Sequence, residues 1–207
     1  TLNQNTIESM FLAGKKENEL NHKVLLDHVG VGASWLRTNT ALQLINAIRF
    51  DVIRGNISEI KALSGAKANT KGVDASSLDE VTQANLDEAV AFMKELASKN
   101  NCVVAATGKY DLVADSSTCY VIKNGIAKME KITGTGCQLS GIITSFISAN
   151  PDCVLQATAA AICLMGLAGE IAFDKNDGNA TYRNKIIDAI YNMSPSDLAK
   201  GAKYEIR

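Results

Sequence analysis

Two glycines and a cysteine stand close together in the segment KITGTGCQLS, residues 131–140, directly ahead of a long apolar stretch. Gly134 and Gly136 lack a Cβ, so the backbone can adopt a positive φ and a ligand can approach it closely. Where such a turn opens a helix, unpaired N–H groups and the positive end of the helix dipole converge on one point. The spacing therefore predicts an anion site formed by Gly134, Thr135, Gly136 and Cys137.

Cys137 itself has two interpretations. A helix N-terminus makes a thiol more reactive, which would suit a residue that takes part in chemistry. A cysteine is also among the residue types that are most often buried, so it could be a small apolar residue in a loop shaped by packing. The ten residues alone leave both interpretations open.

Polar residues follow three short apolar runs, each typical of a strand buried on both faces of a parallel sheet. Asp27 ends the first run, Arg54 ends the second with Glu59 shortly after, and Thr107 and Gly108 follow the third. Ligands bind at the carboxyl ends of parallel strands, so these residues are predicted to share one site with the glycine segment. Carboxylates suit Mg²⁺ and an arginine supplies positive charge, which together favour phosphoryl transfer.

Each of these residues also has a purely structural alternative. Arg54 could form an ion pair at a strand end, Asp27 could be a turn residue, and Thr107 could be β-branched strand filler. Asn56 and Glu59 have the spacing of a capping box, so Glu59 could serve only as a helix cap. Four polar segments that converge on one edge are harder to explain in this way than any single one.

Other nucleotide and hydrolase patterns are incomplete. Trp35 stands where a dinucleotide motif begun by Gly30 and Gly32 needs its third glycine, and the sequence holds no Gly-x-x-x-x-Gly-Lys-Ser/Thr. The G-x-S-x-G pattern is absent, and two histidines are too few for a histidine-based metal cluster. Of the chemistries considered, phosphoryl transfer at a site without a P-loop is the one that these motifs leave open.

Composition favours one domain with a substantial core, since the chain has 207 residues of which 46% are hydrophobic. A net charge of −1 gives no support for nucleic-acid binding. The most apolar stretch, 157–172, is interrupted by glycine and glutamate, so a buried helix is predicted rather than a membrane span. Five scattered cysteines without a C-x-x-C pair favour a reducing cytoplasm.

Helical and strand-like segments alternate, which predicts a parallel sheet with helices on both faces. The predicted buried strands are 23–27, 50–54 and 102–107. The predicted helices are 7–19, 40–49, 56–63, 82–99, 136–148, 154–173, 182–193 and a short one after Ser194. Residues 64–78 are predicted to form a loop. Between 111 and 132 three β-prone runs follow, at 112–114, 119–122 and 127–132. Asn124-Gly125 is a strong hairpin signal. The sequence thus predicts an α/β fold with a mostly parallel central sheet, flanking helices and an antiparallel edge hairpin.

Five segments, in this order and at these distances, resemble the hydroxyethylthiazole kinases, thiamine-salvage enzymes of the ribokinase-like superfamily. They are D-x-V-G-x-G-A from Asp27, I-R-G-N-x-S-E-I from Ile53, K-G-V-D from Lys71, A-T-G-x-x-D from Ala106 and G-T-G-C from Gly134. The cysteine of the last segment is the most specific feature, since most ribokinase-like kinases have an aspartate there. The resemblance extends from the first predicted helix to the last.

The resemblance implies a ribokinase-like fold and ATP-dependent, Mg²⁺-assisted phosphorylation of the hydroxyethyl group of 4-methyl-5-(2-hydroxyethyl)thiazole. It implies that Cys137 occupies the catalytic base position and that Gly134 contacts the thiazole. It also implies a homotrimer with active sites between subunits.

The resemblance further implies contacts to ATP and to the metal. Arg54, Thr107 and Gly108 would contact ATP. Asp27 and Glu59 would lie near the metal and the phosphates.

Two features depart from the family pattern. The family carries an N-terminal segment ahead of Thr1, so residues 1–207 are expected to form a single ribokinase-like α/β domain that lacks this segment. His28 stands where the family usually has proline, which would fix φ after Asp27. Two other functions stay open: a related kinase for hydroxymethylpyrimidine or another small alcohol, which the G-T-G-C segment disfavours, and a non-catalytic nucleotide-binding module.

Overall fold

A computed structural model of the chain describes residues 2–67 and 80–207. Its elements are α1 (Gln4–Glu19), β1 (Leu25–Asp27), α2 (Trp35–Ala47), β2 (Val52–Asn56), α3 (Ile57–Lys67), α4 (Leu86–Asn100), β3 (Val103–Thr107), β4 (Asp111–Ala114), β5 (Cys119–Ile122), a 3₁₀ helix (Ala127–Lys131), α5 (Thr135–Ala149), α6 (Val154–Ile171), α7 (Asn179–Asn192), α8 (Pro195–Gly201) and β6 (Tyr204–Ile206). Helix α3 extends into the predicted loop 64–78. The rest of that loop, with the K-G-V-D segment from Lys71, lies outside the described residues.

The six strands that the described residues form lie side by side in sequence order, β1-β2-β3-β4-β5-β6. The pairs β1–β2 and β2–β3 are parallel, and the three pairs from β3 to β6 are antiparallel. The predicted α/β class is confirmed. The sheet is mixed rather than mostly parallel, because its antiparallel part holds three strands beyond β3 instead of a single edge hairpin.

The predicted strand at 127–132 is wrong, and so is the hairpin at Asn124-Gly125. Residues Ala127–Lys131 form the 3₁₀ helix, and β6 at the end of the chain takes the place beside β5. The Asn124 side chain holds that distant segment, since its Nδ2 donates to the Gly201 carbonyl at 3.0 Å and its Oδ1 accepts from the Lys203 N–H at 2.7 Å. Gly125, with φ of +107°, turns the chain away from the sheet.

Helix boundaries depend on local capping. Helix α1 begins earlier than predicted, because Asn3 is its N-cap and forms a capping box with Thr6. The capping box of α8, in which Ser194 and Asp197 bond each other's backbone N–H, confirms the predicted start of the last helix.

The core lies on both faces of the sheet. Neighbouring residues of a strand point to opposite faces, and in β2 Val52 packs with α5, α6 and α7 whereas Ile53 packs with α2, α3 and α4. Both are almost fully buried, at 0% and 1% exposure. Burying an aliphatic side chain of this size contributes about 1.5–3 kcal/mol, so β2 is fixed from both sides.

Helix α6 is, within the described residues, the one helix long and apolar enough to cross a bilayer by length and composition. Most of its residues are buried inside the folded protein, including Ala161, Ile162 and Ala168. This confirms the prediction of a buried helix in this stretch.

Candidate active site

The parallel register of β1, β2 and β3 brings three of the predicted site residues to one edge of the sheet. Asp27 lies opposite Arg54, and Asn56 lies opposite Thr107. Side chains that are 27 and 53 residues apart in sequence therefore meet at the carboxyl ends of adjacent strands. The convergence that the strand pattern predicted is present for Asp27, Arg54 and Thr107.

Arg54 lies at the centre of this edge and is only 9% exposed. Its Nη1 donates to both carboxylate oxygens of Asp27 at 3.4 Å, and its Nη2 donates to the Thr107 hydroxyl at 3.3 Å. These distances exceed the 2.7–2.9 Å of a strong charge-assisted bond. Its Nε is buried without an acceptor in the described part of the chain. Arg54 is thus an ion-pair partner whose donors remain incompletely satisfied.

The N-terminus of α5 faces the same edge. Gly134 is its N-cap with φ of +95°, a conformation that favours glycine. A Cβ placed on Gly136 would lie 3.2 Å from Nη1 of Arg54, so the absent side chain allows this close approach. The first backbone N–H bonded within the helix is that of Gln138, to the Gly134 carbonyl. The N–H groups of residues 135–137 have no acceptor among the described residues, as expected at a helix start.

Cys137 is exposed at this helix start. The structure therefore excludes the interpretation of Cys137 as a small buried apolar residue. Its Sγ makes no hydrogen bond to any described residue, so the thiol is available to a ligand above the helix N-terminus.

A pocket of about 700 Å³ opens beside Arg54 and the start of α5. Its polar end includes five predicted site residues and their neighbours, namely Arg54, Thr107, Gly108, Thr135, Gly136, Lys109 and Asp111. Its apolar end is lined by Ile126, Ala127, Met129, Leu139, Ile162 and Met165. The lining of the pocket thus combines charged side chains and backbone amides with a set of apolar side chains. Four other predicted residues, Gly134, Cys137, Asp27 and Glu59, are not part of its lining.

Glu59 has a clear local role. Its Oε2 accepts from the Asn56 N–H at 2.9 Å, and Asn56 Oδ1 accepts from the Glu59 N–H at 2.8 Å, which is a capping box. Its Oε1 accepts from the Gly30 N–H at 2.7 Å and holds the loop after β1. Among the described residues Glu59 has no ion-pair partner, whereas Asp27 pairs with Arg54, and both carboxylates lie close enough to His28 to act on its pKa.

The oxygen donors of the site bear on whether it could hold a divalent cation. No group of three or more His, Cys, Asp or Glu within the described residues could hold a metal ion by itself. Mg²⁺ does not require such a group, because it keeps several waters and takes one or two carboxylates together with substrate phosphates. The excess negative charge at Asp27 and Glu59 fits that kind of site.

His28 is buried, at 4% exposure, and its ring lies against Gly55, whose Cβ would come within 2.8 Å of Cε1. Neither ring nitrogen has a hydrogen-bond partner in the described part of the chain. Burial lowers the pKa of His28, while the nearby carboxylates of Glu59 and Asp27 act in the opposite direction. The residue fills space between the Asp27 loop and β2 as a neutral ring.

Two further residues of the site were missed as functional candidates from sequence. Asp111 accepts from the Gly108 N–H at 2.9 Å, and burial raises its pKa to about 7, against the opposing effects of that bond and of the Arg54 charge. Ser140 donates to Oδ2 of Asp27 at 2.8 Å. The sequence contains one sign of the second contact: Ser140 lies one helical turn beyond Gly136 and therefore on the same face.

The mixed sheet with helices on both faces defines a protein of the ribokinase-like α/β fold, and the amide-rich helix start beside an arginine gives it a site suited to an anion. A pyridoxal kinase from Staphylococcus aureus in complex with AMP-PCP shows the same fold, with a TM-score of 0.62 at 18% identity over 97% of this chain and 69% of that one.

The model of the hydroxyethylthiazole kinase family matches residues 1–196, and the chain belongs to this family. It is 51% identical to a hydroxyethylthiazole kinase of Clostridium acetobutylicum over 99% of this chain and 76% of that protein. Identity to a hydroxyethylthiazole kinase of Clostridium tetani is 47%, over 98% of this chain and 74% of that protein. The structure of a hydroxyethylthiazole kinase protein from Pyrococcus horikoshii OT3 superimposes with a TM-score of 0.86 at 28% identity, over 100% of this chain and 74% of that one.

Proposed function

We propose that the protein transfers the γ-phosphoryl group of ATP to the hydroxyethyl group of 4-methyl-5-(2-hydroxyethyl)thiazole. The observation that carries the proposal is the placement of Arg54 against Gly136, where a guanidinium with unsatisfied donors adjoins the open N-terminus of α5. Membership of the hydroxyethylthiazole kinase family supports the identity of the acceptor.

Positive charge and backbone amides are what phosphoryl transfer needs most. Its transition state spreads negative charge over the equatorial phosphoryl oxygens and asks for little covalent chemistry from the protein. The amides of residues 135–137, preorganised by Gly134, form the proposed anion hole. Each such donor can contribute about 3–4 kcal/mol to transition-state stabilisation. Arg54 adds a charge that is held in place by Asp27 and Thr107.

The pocket orients the nucleotide in this proposal. Its polar end, with Arg54, Thr107 and Gly108, receives the phosphates, and its apolar end between Met129 and Met165 receives the flat base. The polyphosphate chain would then run toward the N-terminus of α5. This accounts for the contacts to ATP that sequence resemblance implied for Arg54, Thr107 and Gly108.

Cys137 is the proposed catalytic base, and Gly134 the proposed contact to the thiazole. Both stand at the start of α5, outside the lining of the nucleotide pocket, as an acceptor alcohol on the far side of the phosphoryl group requires. The thiolate form of Cys137 would accept the hydroxyl proton and become a thiol, as the hydroxyl oxygen bonds to phosphorus and the bond to ADP breaks. Little is asked of its base strength, because in a loose transition state the hydroxyl loses its proton late.

Asp27 and Glu59 are the proposed protein ligands of Mg²⁺, directly or through its waters. The ion would supply charge neutralisation to the phosphates when bound. Asp27 also holds Arg54, so loss of its carboxylate would disturb both the cation site and the guanidinium.

Release of ADP measured with and without the thiazole alcohol tests the proposal directly. The expected result is ATP turnover that depends on the thiazole and is much slower with hydroxymethylpyrimidine. Faster turnover with the pyrimidine would favour the related kinase instead. Tight binding of ATP without turnover on either alcohol would favour a non-catalytic nucleotide-binding module.

The wider setting is proposed on the same basis. Residues 1–207 form one ribokinase-like domain, and the protein acts as a cytoplasmic homotrimer with active sites between subunits. Light scattering that gives the mass of a monomer at micromolar concentration would contradict the trimer.

A further inference from the structure

The Ser140 hydroxyl differs from those of Thr144 and Ser145 in the same helix in the acceptor of its hydrogen bond. Thr144 and Ser145 donate to the carbonyl four residues earlier, at 2.8 and 2.9 Å, which is the ordinary local bond of such side chains in a helix. Ser140 lies 3.2 Å from the corresponding Gly136 carbonyl and only 2.8 Å from Oδ2 of Asp27. A hydroxyl has one proton, so the shorter bond to the charged acceptor is the one it makes.

This bond joins two parts of the candidate active site. Ser140 lies four residues after Gly136 and three after Cys137, on one face of the first turns of α5. On that face Gly136 lies against Arg54, and Ser140 bonds Asp27, while Arg54 and Asp27 pair with each other. The start of α5 is thus attached at two points to the ends of β1 and β2.

Among the described residues, few side-chain hydrogen bonds fix this helix start, which is otherwise held by the buried side chains of Ile132 and Leu139. Its N-cap is Gly134, which has no side chain to cap the first turn. The Thr135 hydroxyl bonds only the local Ile132 carbonyl, at 3.2 Å. A tertiary bond from Ser140 therefore has a large share in setting where the amides of the proposed anion hole point.

We propose that Ser140 is a positioning residue for phosphoryl transfer, which acts by fixing the first turn of α5 and the Asp27 carboxylate relative to each other. The inference rests on the proposed function. Ser140 touches neither ATP nor the alcohol in this account. Its loss should slow turnover, because misplacement of a catalytic group by even 1 Å is costly, and should leave nucleotide binding nearly intact.

Three variants test this: Ser140→Ala, Ser140→Thr and, as a matched control, Ser145→Ala, which removes an exposed hydroxyl of the same helix. Ser140→Ala should lower kcat about tenfold while the KM for ATP changes less than about twofold, since only the reacting geometry is disturbed. Ser140→Thr keeps the hydroxyl and should restore most of kcat. Ser145→Ala should match the parent.

Hydrogen exchange provides a reading that does not depend on activity. Amides of residues 138–141 should exchange at least about threefold faster in Ser140→Ala than in the parent or in Ser145→Ala, because the helix start loses its anchor. Unchanged hydrogen exchange in Ser140→Ala would overturn the inference, whether or not the parent enzyme is active. Absence of turnover in the parent enzyme would instead contradict the proposed function. An unchanged kcat in Ser140→Ala, or a loss that follows a lowered Tm and is not reversed by Ser140→Thr, would also overturn it.

Discussion

The guanidinium of Arg54 occupies the space in which a side chain on Gly136 would begin: a Cβ there would lie 3.2 Å from Nη1 and 3.4 Å from Nη2. The contact joins the end of β2 to the first turn of α5. It places a positive charge beside unpaired backbone amides, so both would act on an anion bound there. The absence of one side chain thus allows two independent sources of positive potential to combine.

Gly136→Ala should weaken ATP binding without unfolding the protein. The added Cβ would push Arg54 by a few tenths of an ångström from its positions against Asp27 and Thr107. We expect the KM for ATP to rise about threefold to tenfold, that is about 0.7–1.4 kcal/mol of lost binding. Initial rates at varied ATP with saturating thiazole measure it.

Gly141→Ala is the matched control, because a Cβ at Gly141 in the same helix meets nothing within 4 Å. Alanine is favoured over glycine in a helix by about 1 kcal/mol, so this variant should be slightly more stable and kinetically unchanged. Equal effects of the two substitutions on the KM for ATP would show that crowding of Arg54 is not the cause.

Arg54→Lys should raise the KM for ATP about tenfold although it keeps the charge, because an ammonium cannot replace a planar fork that reaches two partners. In the structure those partners are Asp27 and Thr107, on the strands to either side. Arg54→Ala should raise it further, since it also leaves the Asp27 carboxylate without its cation. Arg49→Lys, at the exposed opposite end of the same strand region, is the control. Unchanged ATP kinetics in Arg54→Lys would contradict the assignment.

Substitutions of Cys137 should have modest effects for a catalytic base. Cys137→Ser is expected to retain part of the activity, with a loss well below the 10²–10⁴-fold that general acid–base catalysis can contribute, because proton transfer is late. Cys137→Asp should keep or raise kcat. Cys153→Ser, at another exposed cysteine, serves as the control. A Cys137→Asp enzyme that is inactive at saturating ATP and thiazole would refute this account.

The parts of the site that the sequence predicted are those set by local pattern. The prediction that Asp27, Arg54 and Thr107 lie together needed only that their apolar runs form a parallel sheet. The prediction of an anion site at the glycines needed only that a helix begins there. The Ser140–Asp27 bond spans 113 residues, so no local pattern contains it. Glu59 was predicted both as a cap and as a ligand, and only the coordinates show that its two oxygens hold Asn56 and Gly30.

The errors in the fold have a similar origin. Residues 127–132 have a β-prone composition, but the place beside β5 is taken by β6 from the end of the chain. With three residues, Tyr204–Ile206, β6 is too short for alternation to be recognised. Its pairing is decided by Asn124, whose side chain bonds backbone groups of Gly201 and Lys203, contacts that depend on the tertiary structure.

Tyr182→Phe should lower stability and leave kinetics unchanged. The Tyr182 hydroxyl is fully buried and donates to the Gly169 carbonyl at 2.8 Å, near the end of α6. Carbonyls in the last turn of a helix have no partner within the helix, so the substitution would leave a buried acceptor unpaired. We expect a loss of about 1–2 kcal/mol in the free energy of unfolding, measured by urea denaturation. Tyr191→Phe, 88% exposed on the same helix, should change it by less than about 0.5 kcal/mol.

Asp111 should make the protein less stable as the pH rises. Burial raises its pKa from 3.8 to about 7, so the folded state binds a proton more tightly than the unfolded state does. Stability from this group is therefore highest below pH 4, falls as the pH rises toward 7, and is constant above that. Asp111→Asn, whose side-chain oxygen can still accept from Gly108, should remove this dependence. Because the carboxyl is only partly buried, we expect a gain of about 1 kcal/mol at pH 8, below the ~4 kcal/mol of the full shift.

Asp115, just beyond the other end of β4, provides a contrast of opposite sign. Burial alone would raise its pKa, but the N–H groups of Ser117 and Thr118 and the Ser117 hydroxyl lower it below its usual value. Its contribution to stability is thus present above the unfolded-state pKa and lost in acid, so Asp115→Asn should destabilise the protein at pH 8 and less at pH 3. Urea denaturation of the parent and Asp111→Asn at pH 5 and pH 8, and of the parent and Asp115→Asn at pH 3 and pH 8, measures the two signs. If the free energies of unfolding of the parent and Asp111→Asn differ by the same amount at pH 5 and pH 8, Asp111 does not have the raised pKa that burial beside the pocket implies.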